Sequence, residues 1–465
     1  MIYSTLIIYW YNLKNRGIPC RKNHPRLAQN LLSKMCAEIF SFLNKLLKSN
    51  EFISRHKTSD THFTRIRKLP FHLVTVFLLS LVRGSYQDEL DKFFKNIFRF
   101  NVAKRVVSKA AFTKARMKLR YQAFIELNLA LVHLFQECFP VKTWNGFRLL
   151  AIDGSMARLP RINDISKHFG NWKVRQGRQS PMARISQLFD VQNKITIDAI
   201  ISPKATGERE LAASHIINLM PNDLVLLDRG YTAWWLYALI LSMNANFCAR
   251  VSYAKWKVIN AFYQSNKKEQ VLLIPPPTTS LKTAKELGLD LKPLKLRLVR
   301  VEDDGKVSIL LTSLLDSEKF PAEIFAELYH KRWPTEEDYK TIKCTMEIEN
   351  FSGQSVLSIY QDFYAKMLLK NMVSIMAIPV NDELIKAKDP DQKHDYQVNL
   401  KQAISKSKDV IVLLFEKPTS KVVKMIEQLH SIFIKTVEPI RPGRKNPRIF
   451  SVPSRKYFLN YKAVA

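Results

Sequence analysis

The chain has 465 residues, too many for one ordinary globular core, and two or three compact units are expected. Lysine and arginine number 73 against 41 aspartates and glutamates, a formal charge of +32 at pH 7, which puts nucleic acid first among partners. A basic protein without an enzyme site reaches the same charge, so charge alone leaves that alternative open. The five cysteines, Cys20, Cys36, Cys138, Cys248 and Cys344, include no Cys-x-x-Cys pair, which excludes the usual zinc or redox frame and suits a reducing cytosol.

The opening MIYSTLIIYWYNLKNR lacks a basic start and a small-residue cleavage site, and reads as a poor signal peptide. From Pro25 to Trp144 apolar residues recur at helical spacing, as in LAQNLLSKMCAEIFSFLNKLL and YQAFIELNLALVHLFQEC, predicting a helical amino-terminal domain. Within it FHLVTVFLLSLV falls short of the ~20 residues that span a bilayer, so a buried helix and no membrane segment are expected. SKAAFTKARMKL offers Ser108 as a cap and basic residues for an exposed face, which suits either a phosphate backbone or plain solvent.

The pattern changes at GFRLLAIDGS, a strand ending in a turn. RISQLFDVQNKITIDAIIS then reads as a hairpin turning at Gln192-Asn193-Lys194. GERELAASHIINLM (helix), DLVLLD (strand), TAWWLYALILSM (helix) and ANFCARVS (strand) make the middle of the chain mixed α/β. From Tyr253 to Leu315, VLLIPPP, LKLRLVRVEDDG and KVSILLTSLL predict an inserted β subdomain with a turn at Asp304-Gly305. Helices resume after Pro321 through Met376, followed by the polar linker NDELIKAKDPDQKHD, two more helices and a basic tail. The expected divisions are 1–24, 25–144, 145–252, 253–318, 319–378 and 379–465, without internal repeats.

Asp153 follows FRLLAI and Asp228 follows LVLL, so each carboxylate is placed where a buried strand ends, the usual ligand position of an open α/β sheet. Taken singly, Asp-Gly and Asp-Arg-Gly are also ordinary turn chemistry. In LYHKRWPTEEDYKTIK, Tyr329, Arg332, Glu336 and Lys343 fall on one stripe of a helix at about 100° per residue. That stripe suits a phosphate grip beside a metal, and an ion-paired surface helix is the competing reading. Pro334 favours a helix restart, which would leave Tyr329 and Arg332 on a separate turn. Asp190 and Asp198 stand at alternate hairpin positions and match no ligand position. Ser155 lacks a Gly-x-Ser-x-Gly frame, and His168, His215 and His330 lack metal spacing.

Tyr-x-x-Arg-x-x-x-Glu followed by six residues and Lys resembles the signature of the bacterial insertion-sequence-four transposases, DDE enzymes with an RNase H-like core. IDGS around Asp153, DRGY from Asp228 to Tyr231, and RPGRKNPR near the carboxyl end strengthen the resemblance, which spans Phe147 to Arg448. The separations, 75 residues from Asp153 to Asp228 and 108 from Asp228 to Glu336, also suit that family, in which a β insertion precedes the Glu.

The resemblance implies an α/β, RNase H-like mixed-sheet catalytic core with an inserted β subdomain, a helical DNA-binding amino-terminal domain and a helical, basic carboxyl-terminal region. It implies a cut-and-paste transposase in which Asp153, Asp228 and Glu336 are catalytic and hold two Mg2+ ions, Mn2+ being a substitute, with Asp153 bridging them. Water frees a three-prime hydroxyl, that hydroxyl forms a hairpin, and the reopened end joins target DNA. Tyr329, Arg332 and Lys343 would contact phosphates and Trp333 would probe the base stack, a buried packing role being the alternative for Trp333. The family's second tryptophan has no counterpart in LKLRLVRVEDDGKVSILLTSLL; Trp256 could substitute or belong to the core. Arg229 and Arg250 are candidates for gripping phosphate or for structural ion pairs. The implied partners are terminal inverted repeats and target DNA, with a homodimer through residues 398–434 in the DNA complex and a cytoplasmic, nucleoid-associated location. A catalytically inactive DNA-binding descendant and an RNase H-like nuclease that does not join strands are the rival functions.

Overall fold

The computed structural model describes residues 25–173, 179–254, 256–303, 305–389 and 391–441. Residues 1–24 with Cys20, the RPGRKNPR tail beyond Arg441, and Asp304 of the expected turn lie outside them. The helical periodicity of the first third gives α1 (Pro25–Lys48), α2 (Asn50–His56), α3 (Phe71–Leu79), α4 (Tyr86–Phe98), α5 (Lys109–Arg116) and α6 (Gln122–Cys138). Ser108 caps α5 by accepting from the Ala111 N–H, as the sequence suggests. Arg116, however, does not join an exposed basic face: it is buried and donates to Asp362, Gln361 and the Ser352 hydroxyl. A guanidinium that gains three such acceptors inside the protein is structural.

The middle of the chain folds as β1 (Arg148–Arg158), α7 (Asn163–Phe169), β2 (Asn171–Lys173), β3 (Gln179–Asp190), β4 (Ile195–Ser202), α8 (Glu208–Ile216), β5 (Asp223–Leu227), α9 (Trp234–Ser242) and β6 (Asn246–Val251). Five of these strands lie in the order β4, β3, β1, β5, β6. In the first three the central β3 is antiparallel to both its neighbours, and β5 and β6 run parallel to β1. That order and sense are the RNase H-like sheet. The β3–β4 turn closes where expected, with Lys194 in the left-handed region and the Asp190 carboxylate accepting from the Gln192 and Asn193 N–H groups.

The insertion contains α10 (Lys257–Gln264), β7 (Glu269–Ile274), α11 (Thr278–Glu286), β8 (Leu294–Asp303) and β9 (Lys306–Thr312). Its strands do not stand apart: β9 pairs with β6, and β8 and β7 extend the same sheet to nine strands. The two helices, which a wholly β reading of this stretch left out, are short; Ile259 and Phe262 bury one side of α10. At the far edge β7 pairs, among the described residues, only with β8, exposes Val271 and Leu273, and runs directly into Pro275-Pro276-Pro277.

The last third supplies α12 (Ile324–His330), α13 (Pro334–Lys340), α14 (Val356–Lys386), α15 (Leu400–Glu416) and α16 (Thr419–Phe433). Among the described residues α14 is the one helix long and apolar enough to cross a membrane, and it is almost wholly buried, packed against α1, α3, α6, β4 and α15. The expected boundary at 378/379 falls inside it. One face of the sheet, through Leu150, Ile152, Val225 and Leu227, shares a continuous core with the amino-terminal and carboxyl-terminal helices. The other face, through Leu149, Ala151, Leu224, Leu226 and Cys248, packs on Phe325 and Leu328 of α12.

Candidate active site

Strand register places the acidic residues. The parallel pairing of β1 with β5 ends at Ala151 opposite Leu226, and that of β5 with β6 runs through Leu226 opposite Cys248. Two residues further along, past the last of these pairs, come Asp153, Asp228 and Arg250 on three neighbouring strands. Because side chains alternate along a strand, all three share the face of Ala151, Leu226 and Cys248, the face covered by α12. Asp228 ends its strand as expected. Asp153 does not: β1 continues to Arg158, paired with β3 alone, so this carboxylate sits where the parallel partner stops.

Glu336 reaches the same place from α13. The helical segment is broken as Pro334 predicts: α12 ends at His330, residues 331–333 form a turn, and Pro334 occupies the first turn of α13. Two contacts anchor α13 to the sheet. Tyr339 donates its hydroxyl proton to the Asp153 carbonyl at 2.7 Å, and Asp338 pairs with Lys370 of α14 at 2.6 Å with both side chains buried. Across the break, Arg332 bridges the carboxylates, with one nitrogen 2.6 Å from Glu336 and another 3.5 Å from Asp153. Tyr329 lies between two guanidinium groups, Arg250 at 5.5 Å and Arg332 at 5.9 Å from its ring centre. Among the described residues its hydroxyl and the Nε atoms of Arg250 and Arg332 are buried without a hydrogen-bond partner, so three polar atoms around one ring lack there the bonds that burial ordinarily demands.

The electrostatics match the geometry. Burial raises the Asp153 carboxyl from 3.8 to about 6. The Gly154 N–H and Arg332 oppose that shift, while the charges of Asp228 and Glu336 add to it. Burial likewise lifts the Tyr231 phenol well above its ordinary value, helped by Asp153, Asp228 and Glu208. Arg332 is held up despite burial by Tyr329, Glu336 and Asp153.

Lys343 departs from the stripe. Residues Thr341–Thr345 form a π turn, one residue wider than α, which rotates the chain beyond it. Burial lowers the Lys343 ammonium, which Glu349 raises and Arg158 lowers further. Trp333 is 42% exposed with Lys340 over its ring, unlike a buried packing residue. Trp256 is partly buried, edge-on to Tyr237. Arg229 is exposed in the short turn that Asp228 caps through the Gly230 N–H. Asp198 pairs with buried His215, whose other ring nitrogen meets the Ser186 hydroxyl, and Ser186 donates to the Asp153 carbonyl. His168 bonds Tyr360, and Ser155 lies in mid-strand.

Glu208, Tyr231 and Tyr339 are not singled out by the sequence. Tyr231 and Glu208 both close on Gly154, where an added Cβ would stand 3.4 Å from the Tyr231 hydroxyl. Only the DRGY motif and the position of Tyr339 one turn after Glu336 hint at the tyrosines.

Residues 144–372 match the family described as transposase DDE domain. The chain is 28% identical over 291 residues to the transposase InsG for insertion sequence element IS4 of Escherichia coli (strain K12); the match covers 60% of this chain and 63% of that relative. Among solved structures, the piggyBac transposase synaptic complex with hairpin DNA is similar over 88% of this chain and 87% of its own, with a TM-score of 0.41 and 12% identity.

Proposed function

We propose that the chain, whose residues 144–372 match the transposase DDE domain, is a DDE transposase of the insertion-sequence-four type that cuts and joins the ends of a DNA element by phosphoryl transfer at Asp153, Asp228 and Glu336. The observation that carries this reading is the register that sets Asp153 beside Asp228 with Glu336 joined to them through Arg332. The donors are all carboxylate oxygens, the set that suits Mg2+ or Mn2+. Among the described residues no three such side chains already stand at ion-holding distance, Arg332 bridging two of them. The repulsion that helps raise Asp153 is what added positive charge relieves, so the residues fit the ions. Two bound ions would activate the attacking oxygen and stabilise the leaving one.

Asp153, Asp228 and Glu336 would together hold the ions in this proposal. Arg332 and Arg250, carrying unmet donors, bind the phosphates of the cut strand, and Tyr329 holds both guanidinium planes in place. Lys343, Arg229 and Trp333 sit further out, where Lys343 and Arg229 contact the backbone and half-exposed Trp333 meets a base. Water frees a three-prime hydroxyl, a hairpin forms and reopens, and the end joins target DNA. Two copies act together on paired ends, in a cytoplasmic, nucleoid-associated setting.

Asp153→Asn beside wild type, given terminal-repeat DNA and Mg2+, tests this. Both should bind; wild type alone should nick and then join, with the variant reduced by at least about 10³-fold. Wild-type binding without cutting would identify a DNA-binding descendant, and hydrolysis without joined product a nuclease.

A further inference from the structure

Outside the matched domain, α4, α15 and α16 border a groove of about 530 Å³. Five cations line it, Lys95 and Arg99 at the end of α4 and Lys417, Lys421 and Lys424 on the opposite wall, and no acidic residue does. None of the five makes an ion pair among the described residues, although lysines nearby do: Lys48 pairs with Glu416 and Lys408 with Glu89. Lys421, Lys424 and Gln428 recur at offsets of three and four, which aligns them as one stripe along α16. Phe100 and Met425 form part of the lining.

Like charges collected on facing walls repel, and the cluster is relieved by an anion extended enough to meet both walls. Five cations drawn from the end of α4 and from the start and body of α16 exceed what one small anion neutralises, so a backbone of successive phosphates fits better. A second copy of this face does not, because a twofold contact would set the five cations against themselves.

We propose that this groove binds the phosphate backbone of duplex DNA, independently of sequence, as a second contact surface remote in sequence from the carboxylates. The choice of DNA rests on the transposase reading above. The test is fluorescence anisotropy of full-length protein on a random-sequence duplex of about 30 base pairs, across a salt series without divalent metal, comparing wild type with the triple variant Lys417→Ala, Lys421→Ala, Lys424→Ala. The triple variant should lose at least about tenfold in affinity at low salt and about 2 to 3 from the log–log salt slope, with an unchanged circular dichroism spectrum. Affinity within about twofold of wild type and an equal slope would overturn the proposal, as would tighter binding of an RNA duplex of the same length. Loss of slope in the triple variant with no cleavage by wild type would leave the groove standing and remove the DDE reading.

Discussion

Asp153 is held in a place that opposes its own ionisation, partly buried and near the charges of two further carboxylates. Its folded pKa, about 6, exceeds the ordinary 3.8. Below 3.8 both folded and unfolded chains are protonated there, and the residue costs nothing. Between those values the unfolded chain ionises first, so stability falls as pH rises; above about 6 the loss is complete, at most about 3 kcal/mol. Asp153→Asn should therefore stabilise the metal-free protein by about 1–3 kcal/mol at pH 8 and by almost nothing at pH 4, read from urea denaturation. An equal gain at both values would show that repacking, and not charge, is responsible. At this scale the sequence reveals which residues matter and conceals how they meet. Asp153 and Asp228 look like separate turn residues until the register sets them side by side, and Glu208 carries no motif.

The helix that delivers Glu336 is seven residues long and owes its position to neighbours. Asp338 and Lys370 form the buried tie, with Lys370 also donating to Thr196. Lys370→Met should cost about 3–5 kcal/mol by leaving a buried carboxylate without its counterion, and adding Asp338→Leu should recover most of that loss in denaturant titrations. A double variant no more stable than the single one would mean that the tie is not what holds α13. Element types were largely legible because hydrophobic period reports them: the hairpin and the helix restart at Pro334 follow from local chemistry. The π turn was not legible. Nothing in Thr341–Thr345 announces an extra residue per turn, and it removes Lys343 from a stripe that spacing alone assembles.

Across the whole molecule a single core runs from Cys36 in α1 to Phe433 in α16, passing through β1, β5 and α14. Sequence boundaries at 144/145 and 378/379 mark changes of pattern, which period and composition display, whereas shared burial depends on contacts hundreds of residues apart. An isolated fragment 144–372 would expose the sheet face that packs on the terminal helices. It should show helical far-ultraviolet dichroism without native near-ultraviolet signal, while the full chain shows both. A folded, cooperatively melting fragment would contradict this. The far edge of the extended sheet bears on how the chain behaves when concentrated. Among the described residues β7 has no second partner strand beside Val271 and Leu273, the arrangement by which one copy adds to another strand by strand. The three prolines after it have no N–H to donate, so strand pairing along this edge cannot run past Ile274, and the length of edge open to another strand is set by residues that take no part in the proposed chemistry.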